Sequence, residues 1–194
     1  MYYVSNSYPY PYSHPYYYNV PTYNVYRHPV YGGYHNEYDY ANQYRYWQSF
    51  NAARNIDIKD YGKAPFVVDI DEATQQNNTF RTALWTGEHL QVTLMSINVG
   101  EDIGLEVHPN TDQFLRVEAG EGIVQMGDTQ NNLSFQAKVS DDFAIMVPAG
   151  KWHNVTNTGN TPLKLYSIYA PPEHPFGTVH RTKAEAMAAE GHHE

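Results

Sequence analysis

The chain has 194 residues, no cysteine, and 12 basic against 21 acidic side chains, for a net charge of -9. That length fits one domain with extensions, and the acidic balance excludes nucleic acid as an expected partner, because phosphates need a basic face. Without thiolates, any metal must be held by nitrogen and oxygen donors.

Residues 1–50 differ in composition from the rest. They hold 16 of the 19 tyrosines, spaced by Pro, Asn, His and Ser, with prolines at 9, 11, 15, 21 and 29. Neither a 3.6 nor a 2.0 period persists, and Leu and Ile are nearly absent, so a disordered aromatic arm is expected. Its charges cancel (Arg27 and Arg45 against Glu37 and Asp39), leaving the whole net charge to the remainder. The first residues lack the basic and apolar segments of a secretory signal, and no run of about 18 apolar residues could span a membrane, so cytoplasmic synthesis without membrane insertion is expected.

Residues 51–63 read as a connector. From residue 64 the pattern becomes short strand-forming runs: 66–70 as an edge strand, 80–86 and 89–99 as a hairpin about Thr86-Gly87-Glu88, then 122–126, 133–139, 143–147, 152–156 and 163–169. Residues 71–78 are polar and read as a turn or helical turn. Many short strands punctuated by Gly, Pro and Asn predict an all-β antiparallel sandwich or barrel. After Pro171-Pro172, Thr182 and Glu185 have capping-box spacing ahead of an Ala-rich run, which predicts a short C-terminal helix within residues 173–194. His174 and His180 fall in loop-like sequence and read as surface residues.

Chemistry concentrates in residues 100–120. Glu106 and His108 are two apart, so on a strand they would share a face. A turn over 109–112 reverses the chain, and Gln113 opens the next strand with Leu115 and Val117 on its face. Its amide oxygen would then meet the first pair. His153 offers a fourth donor where residues 148–150 turn the chain into a new strand. Arg116, by strand alternation, points away from this set.

Both stretches resemble the two cupin motifs. Gly100, His108 and Gly120 match the first motif's spacing, and Pro148, Gly150, His153 and Asn157 match the second. Glu106 stands where the family usually has a histidine, Gln113 where it has a glutamate, and Asp142 where the second motif begins with glycine. The resemblance implies a double-stranded β-helix, the jelly-roll cupin barrel, over residues 64–172, with one divalent metal (Zn, Fe, Mn or Ni) held by Glu106, His108, Gln113 and His153. This set carries one negative charge, as the usual cupin set does. In ligand type it is similar to the zinc-dependent mannose-6-phosphate isomerases, with the Gln and Glu positions exchanged.

Three functions follow as expectations. One is a small metal-dependent enzyme, isomerase-like on a sugar or hydroxy-carbonyl compound, or a dioxygenase if iron is bound. Another is a binding cupin without turnover. The third is a coat or surface-layer protein, since the arm resembles the Tyr-rich segments of bacterial spore-coat proteins and is suited to weak aromatic contacts with coat partners. A homodimer of the barrel is expected, because pairing covers sheet edges. No catalytic residue is singled out.

Overall fold

The computed structural model describes residues 55–190; the Tyr-rich arm and the last four residues lie outside them. The expectation of a disordered arm therefore falls outside the described residues.

Among the described residues, nine strands and two short helices follow one another as α1 (Ile70–Gln76), β1 (Arg81–Thr86), β2 (Gln91–Ile97), β3 (Asp112–Ala119), β4 (Glu121–Gly127), β5 (Phe135–Ser140), β6 (Ala144–Val147), β7 (Trp152–Asn157), β8 (Leu163–Ala170), β9 (Val179–His180) and α2 (Lys183–Glu190). They form a six-stranded sheet in the order β6-β3-β8-β2-β1-β9 and a three-stranded sheet in the order β5-β4-β7. Every pairing is antiparallel. The all-β double-stranded β-helix read from the sequence is the fold observed.

Strand alternation turns one residue in two toward the interior, and the interior is divided by polarity. Met95, Ile97, Leu115, Val117, Val124, Val155, Leu163 and Leu165 form an apolar core. Gln91, Thr93, Gln113, Ser167 and Tyr169 along β2, β3 and β8, and Arg81 on β1, are also buried. The register places Gln113 opposite Tyr169, and Tyr169 opposite Gln91, so a polar row crosses three adjacent strands. Buried polar side chains in such density need partners or a ligand.

Residues 66–70, expected as an edge strand, are not one. Pro65 interrupts the ladder, and Asp69 caps α1 by accepting from the Glu72 N–H at 3.2 Å, which starts a helix where the strand was expected to end. Phe66, Val68 and Ile70 still bury apolar surface: with Ile56, Ile58 and Tyr61 they cover Leu84 and Leu94 on the outer face of the large sheet. The strand β9, which the sequence did not suggest, spans two residues and pairs with β1. Half of the expected capping box appears at α2, where the Glu185 N–H donates to Thr182 Oγ1 at 3.2 Å, while Glu185 Oε2 accepts from the Arg181 N–H at 2.6 Å, one residue before the cap.

Candidate metal centre

Glu106 and His108 lie between β2 and β3, and neither belongs to a strand of the sheets. The two-strand reading of residues 100–120 therefore holds only for β3. What positions the pair is a set of backbone clips to β7: the Glu106 N–H donates to the His153 carbonyl at 3.0 Å, the His153 N–H returns the bond at 2.9 Å, and the Gly150 N–H donates to the His108 carbonyl at 2.8 Å. Gly150 has φ +78°, a left-handed conformation that favours glycine, so this turn depends on that residue type. Asn157 closes the other end of β7, donating to the carbonyls of Ile97 and Thr161 and accepting from the Gly159 N–H. The two cupin-like stretches are thus joined by backbone before any side chain meets.

The side chains then converge. Glu106 Oε1 lies 3.4 Å from His108 Nε2 and 3.3 Å from His153 Nε2. One ligand atom from each of the three falls within 4.8 Å of the others. None of these three atoms has a hydrogen-bond partner although all are buried, and Gln113 Oε1 is in the same condition. Gln113 spends its amide nitrogen on Ser167 Oγ at 3.3 Å, which fixes the side chain with its oxygen unused. Its strand neighbour Tyr169 stands edge-on to His108 with ring centroids 5.5 Å apart, so Gln113 belongs to the same end of the barrel. Two imidazoles and a carboxylate, each with an orphaned buried heteroatom, form a donor group suited to a divalent cation, and Gln113 Oε1 is a further orphaned acceptor at this end of the barrel.

Surrounding groups hold the donors in place. The other nitrogen of His153 contacts the Lys151 carbonyl at 3.0 Å, and the other nitrogen of His108 contacts Glu173 Oε1 at 3.1 Å. Once the rings are neutral, these contacts favour a proton on each Nδ1, which leaves each Nε2 lone pair facing inward. Arg81, fully buried on β1, lies 3.6 Å from Glu106 Oε2. Burial works to raise the Glu106 carboxyl, but His108, His153 and the Arg81 charge outweigh it and hold the group well below the usual carboxylate range. Burial likewise works to lower His108, yet the carboxylates of Glu106 and Glu173 push it up to about 9.

Glu173 and His174 lay outside the expected ligand set. The half-buried His174 is not the surface residue that its loop-like sequence suggested; its ring stands edge-on to Tyr169 at 5.1 Å. Gln91, buried on β2, holds this segment from within: its amide nitrogen donates to the His174 carbonyl and its oxygen accepts the His174 N–H, both at 2.9 Å. Burial and the charge of Arg81 push His174 down to about 3. His180, also read as a surface residue, is half-buried on β9. Beside the donors opens a cavity of about 670 Å³, lined by Glu106, His108, Glu173, His174, Thr178 and His180 among others. Arg116 faces outward, paired with Glu118 and Asp142, as strand alternation predicted. Lys151 pairs with Asp128.

Comparison with known proteins bears on the fold family. A cupin domain is matched over residues 93–169. The uncharacterized protein YrkC of Bacillus subtilis (strain 168) is 64% identical over 175 residues, which cover 90% of this chain and 94% of YrkC. Protein L612 of Acanthamoeba polyphaga mimivirus is 39% identical over 115 residues, covering 59% of this chain and 70% of L612. The crystal structure of BH2720 from Bacillus halodurans shares 70% identity and superposes with a TM-score of 0.67, covering 68% of this chain and 99% of that one. With its two sheets, the matched domain and relatives aligned over most of their own lengths, the chain belongs to the cupin family.

Proposed function

We propose that the protein binds one divalent metal through Glu106, His108, Gln113 and His153 and acts on a small, uncharged hydroxy-carbonyl compound, isomerase-like in its chemistry. The observation that carries the metal reading is the set of four buried heteroatoms, one from each residue, all lacking hydrogen-bond partners. A metal at such donors supplies Lewis-acid polarisation of a carbonyl or hydroxyl oxygen.

The chain's own groups support the rest. The cavity has the size of a small-molecule site. Among the described residues that line it there is no lysine or arginine, while Glu106 and Glu173 both contribute carboxylates. A phosphate group on the substrate would meet acidic side chains there, which favours a free sugar or hydroxyketone over its phosphate ester. His174 lines the same cavity with a buried, unpartnered Nε2, and it is held neutral, a state in which it can accept a hydrogen bond from a substrate hydroxyl.

Enolisation is the test. Metal-loaded protein incubated in D₂O with unphosphorylated aldoses, ketoses and hydroxyketones should incorporate deuterium beside the carbonyl, as read by NMR, and His108→Ala should not. Incorporation no faster than in buffer across that panel would overturn the isomerase assignment.

A further inference from the structure

Arg81 is distant in sequence from both cupin-like stretches, yet it is wholly buried and adjoins one of the proposed ligands. We propose that Arg81 is the positioning residue that makes a carboxylate workable at position 106, neutralising it before metal arrives and reserving its second oxygen so that only Oε1 faces the metal. This inference rests on the reading of Glu106 as a ligand.

The two oxygens of Glu106 have different surroundings. Oε1 faces both imidazoles, at 3.4 and 3.3 Å, while Oε2 faces the Arg81 guanidinium at 3.6 Å. The latter distance is that of an ion pair rather than a direct hydrogen bond. The Glu106 side chain is 12% exposed and Arg81 is fully buried, so each is a desolvated charge, and Arg81 adds to the two imidazoles in compensating Glu106 from the side of its second oxygen. Removing one partner of a buried pair leaves the other charge uncompensated. Arg81 is held in place from two sides: β1 pairs it with Met95 on β2 and with His180 on β9, and its guanidinium carbon sits 5.7 Å from the centre of the Phe80 ring. A histidine, the usual cupin residue at this position, would need no such counter-charge. The exchange of histidine for glutamate and the presence of a buried arginine thus form one arrangement.

The test is a double-mutant cycle on the full chain, read by thermal melting with and without Zn²⁺ and by the visible spectrum of cobalt-loaded protein. Arg81→Met should lower the melting temperature of the metal-free protein, and Zn²⁺ should raise it by more than in wild type, because the metal then supplies the missing positive charge. Its cobalt spectrum should weaken as the freed Oε2 joins the coordination sphere. In a Glu106→Gln background, the metal-free penalty of Arg81→Met should vanish or reverse. Should Arg81→Met alone fail to fold, rescue of folding by Glu106→Gln is the expected result. An equal penalty in both backgrounds, or no rescue, would reduce Arg81 to a packing residue and overturn the proposal. If wild type takes up no Zn²⁺ or Co²⁺, the metal reading fails by itself, while the metal-free cycle still decides whether Arg81 serves Glu106.

Discussion

Replacing Glu173 by alanine probes the donor set without touching a proposed ligand. The carboxylate contacts His108 Nδ1 at 3.1 Å and is 29% exposed, so it acts in a partly desolvated position. Removing a carboxylate of this kind, one that orients a ligating histidine, costs roughly 10- to 100-fold in metal affinity. The contact is slightly long for a charge-assisted bond, about 2.7–2.9 Å at its best, which places the effect in the lower part of that range. The expected loss is about 10- to 30-fold, or about 1.4–2 kcal/mol at 1.4 kcal/mol per tenfold. Glu173→Gln keeps an acceptor oxygen and should lose only a few-fold. Competition with a chromophoric chelator for Zn²⁺ at fixed pH measures both, with melting of the metal-free variants as the control for folding. A folded Glu173→Ala protein with wild-type affinity would refute the claim that Glu173 orients His108 for a metal.

Two further predictions concern the titration of His108 and the segment that carries Glu173. In the metal-free protein His108 binds its proton more tightly than in the unfolded chain, being raised from 6.5 to about 9, so the stability it contributes is complete below pH 6.5 and is lost as pH rises through 9. Glu106, depressed from 4.5, contributes stability above that pH and loses it in acid. Metal must displace the His108 proton, so Zn²⁺ affinity should climb with pH while metal-free stability falls, and calorimetry in buffers of different ionisation enthalpy should detect the released proton; affinity independent of pH between 6.5 and 9 would contradict this. Gln91→Ala removes three hydrogen bonds, to Thr86 Oγ1 and to both backbone groups of His174, and should cost about 2–3 kcal/mol with Glu173 displaced and metal affinity reduced. Urea melts and the same chelator competition report the two effects, and a loss of stability with unchanged affinity would separate Gln91 from the site.

Much of the fold was legible because the strands alternate cleanly and Gly, Pro and Asn mark their ends. That Glu106, His108 and His153 come together was legible from their spacing and from the turn before His153, which are local properties. Errors arose where local pattern and tertiary packing disagree. Phe66, Val68 and Ile70 alternate as a strand does, yet they bury their side chains from irregular backbone and a capped helix. Glu106 and His108 share a face through backbone bonds to His153 rather than through a strand of their own. Arg81 and Glu173 carry no local signal of their closeness to Glu106 and His108, because each reaches them only through the barrel's long-range closure. His174 and His180 sit in polar, proline-rich sequence that reads as surface, and only the Gln91 clasp and the β1–β9 pairing draw them inward.

The most direct measurement is the metal content of the full-length protein purified without added metal, compared with its His108→Ala/His153→Ala variant by elemental mass spectrometry. The account predicts close to one divalent metal per chain in the wild type and none bound stoichiometrically in the double variant, with Gln113→Ala retaining a weakened site because a neutral amide contributes least. Full occupancy in a folded double variant would contradict it.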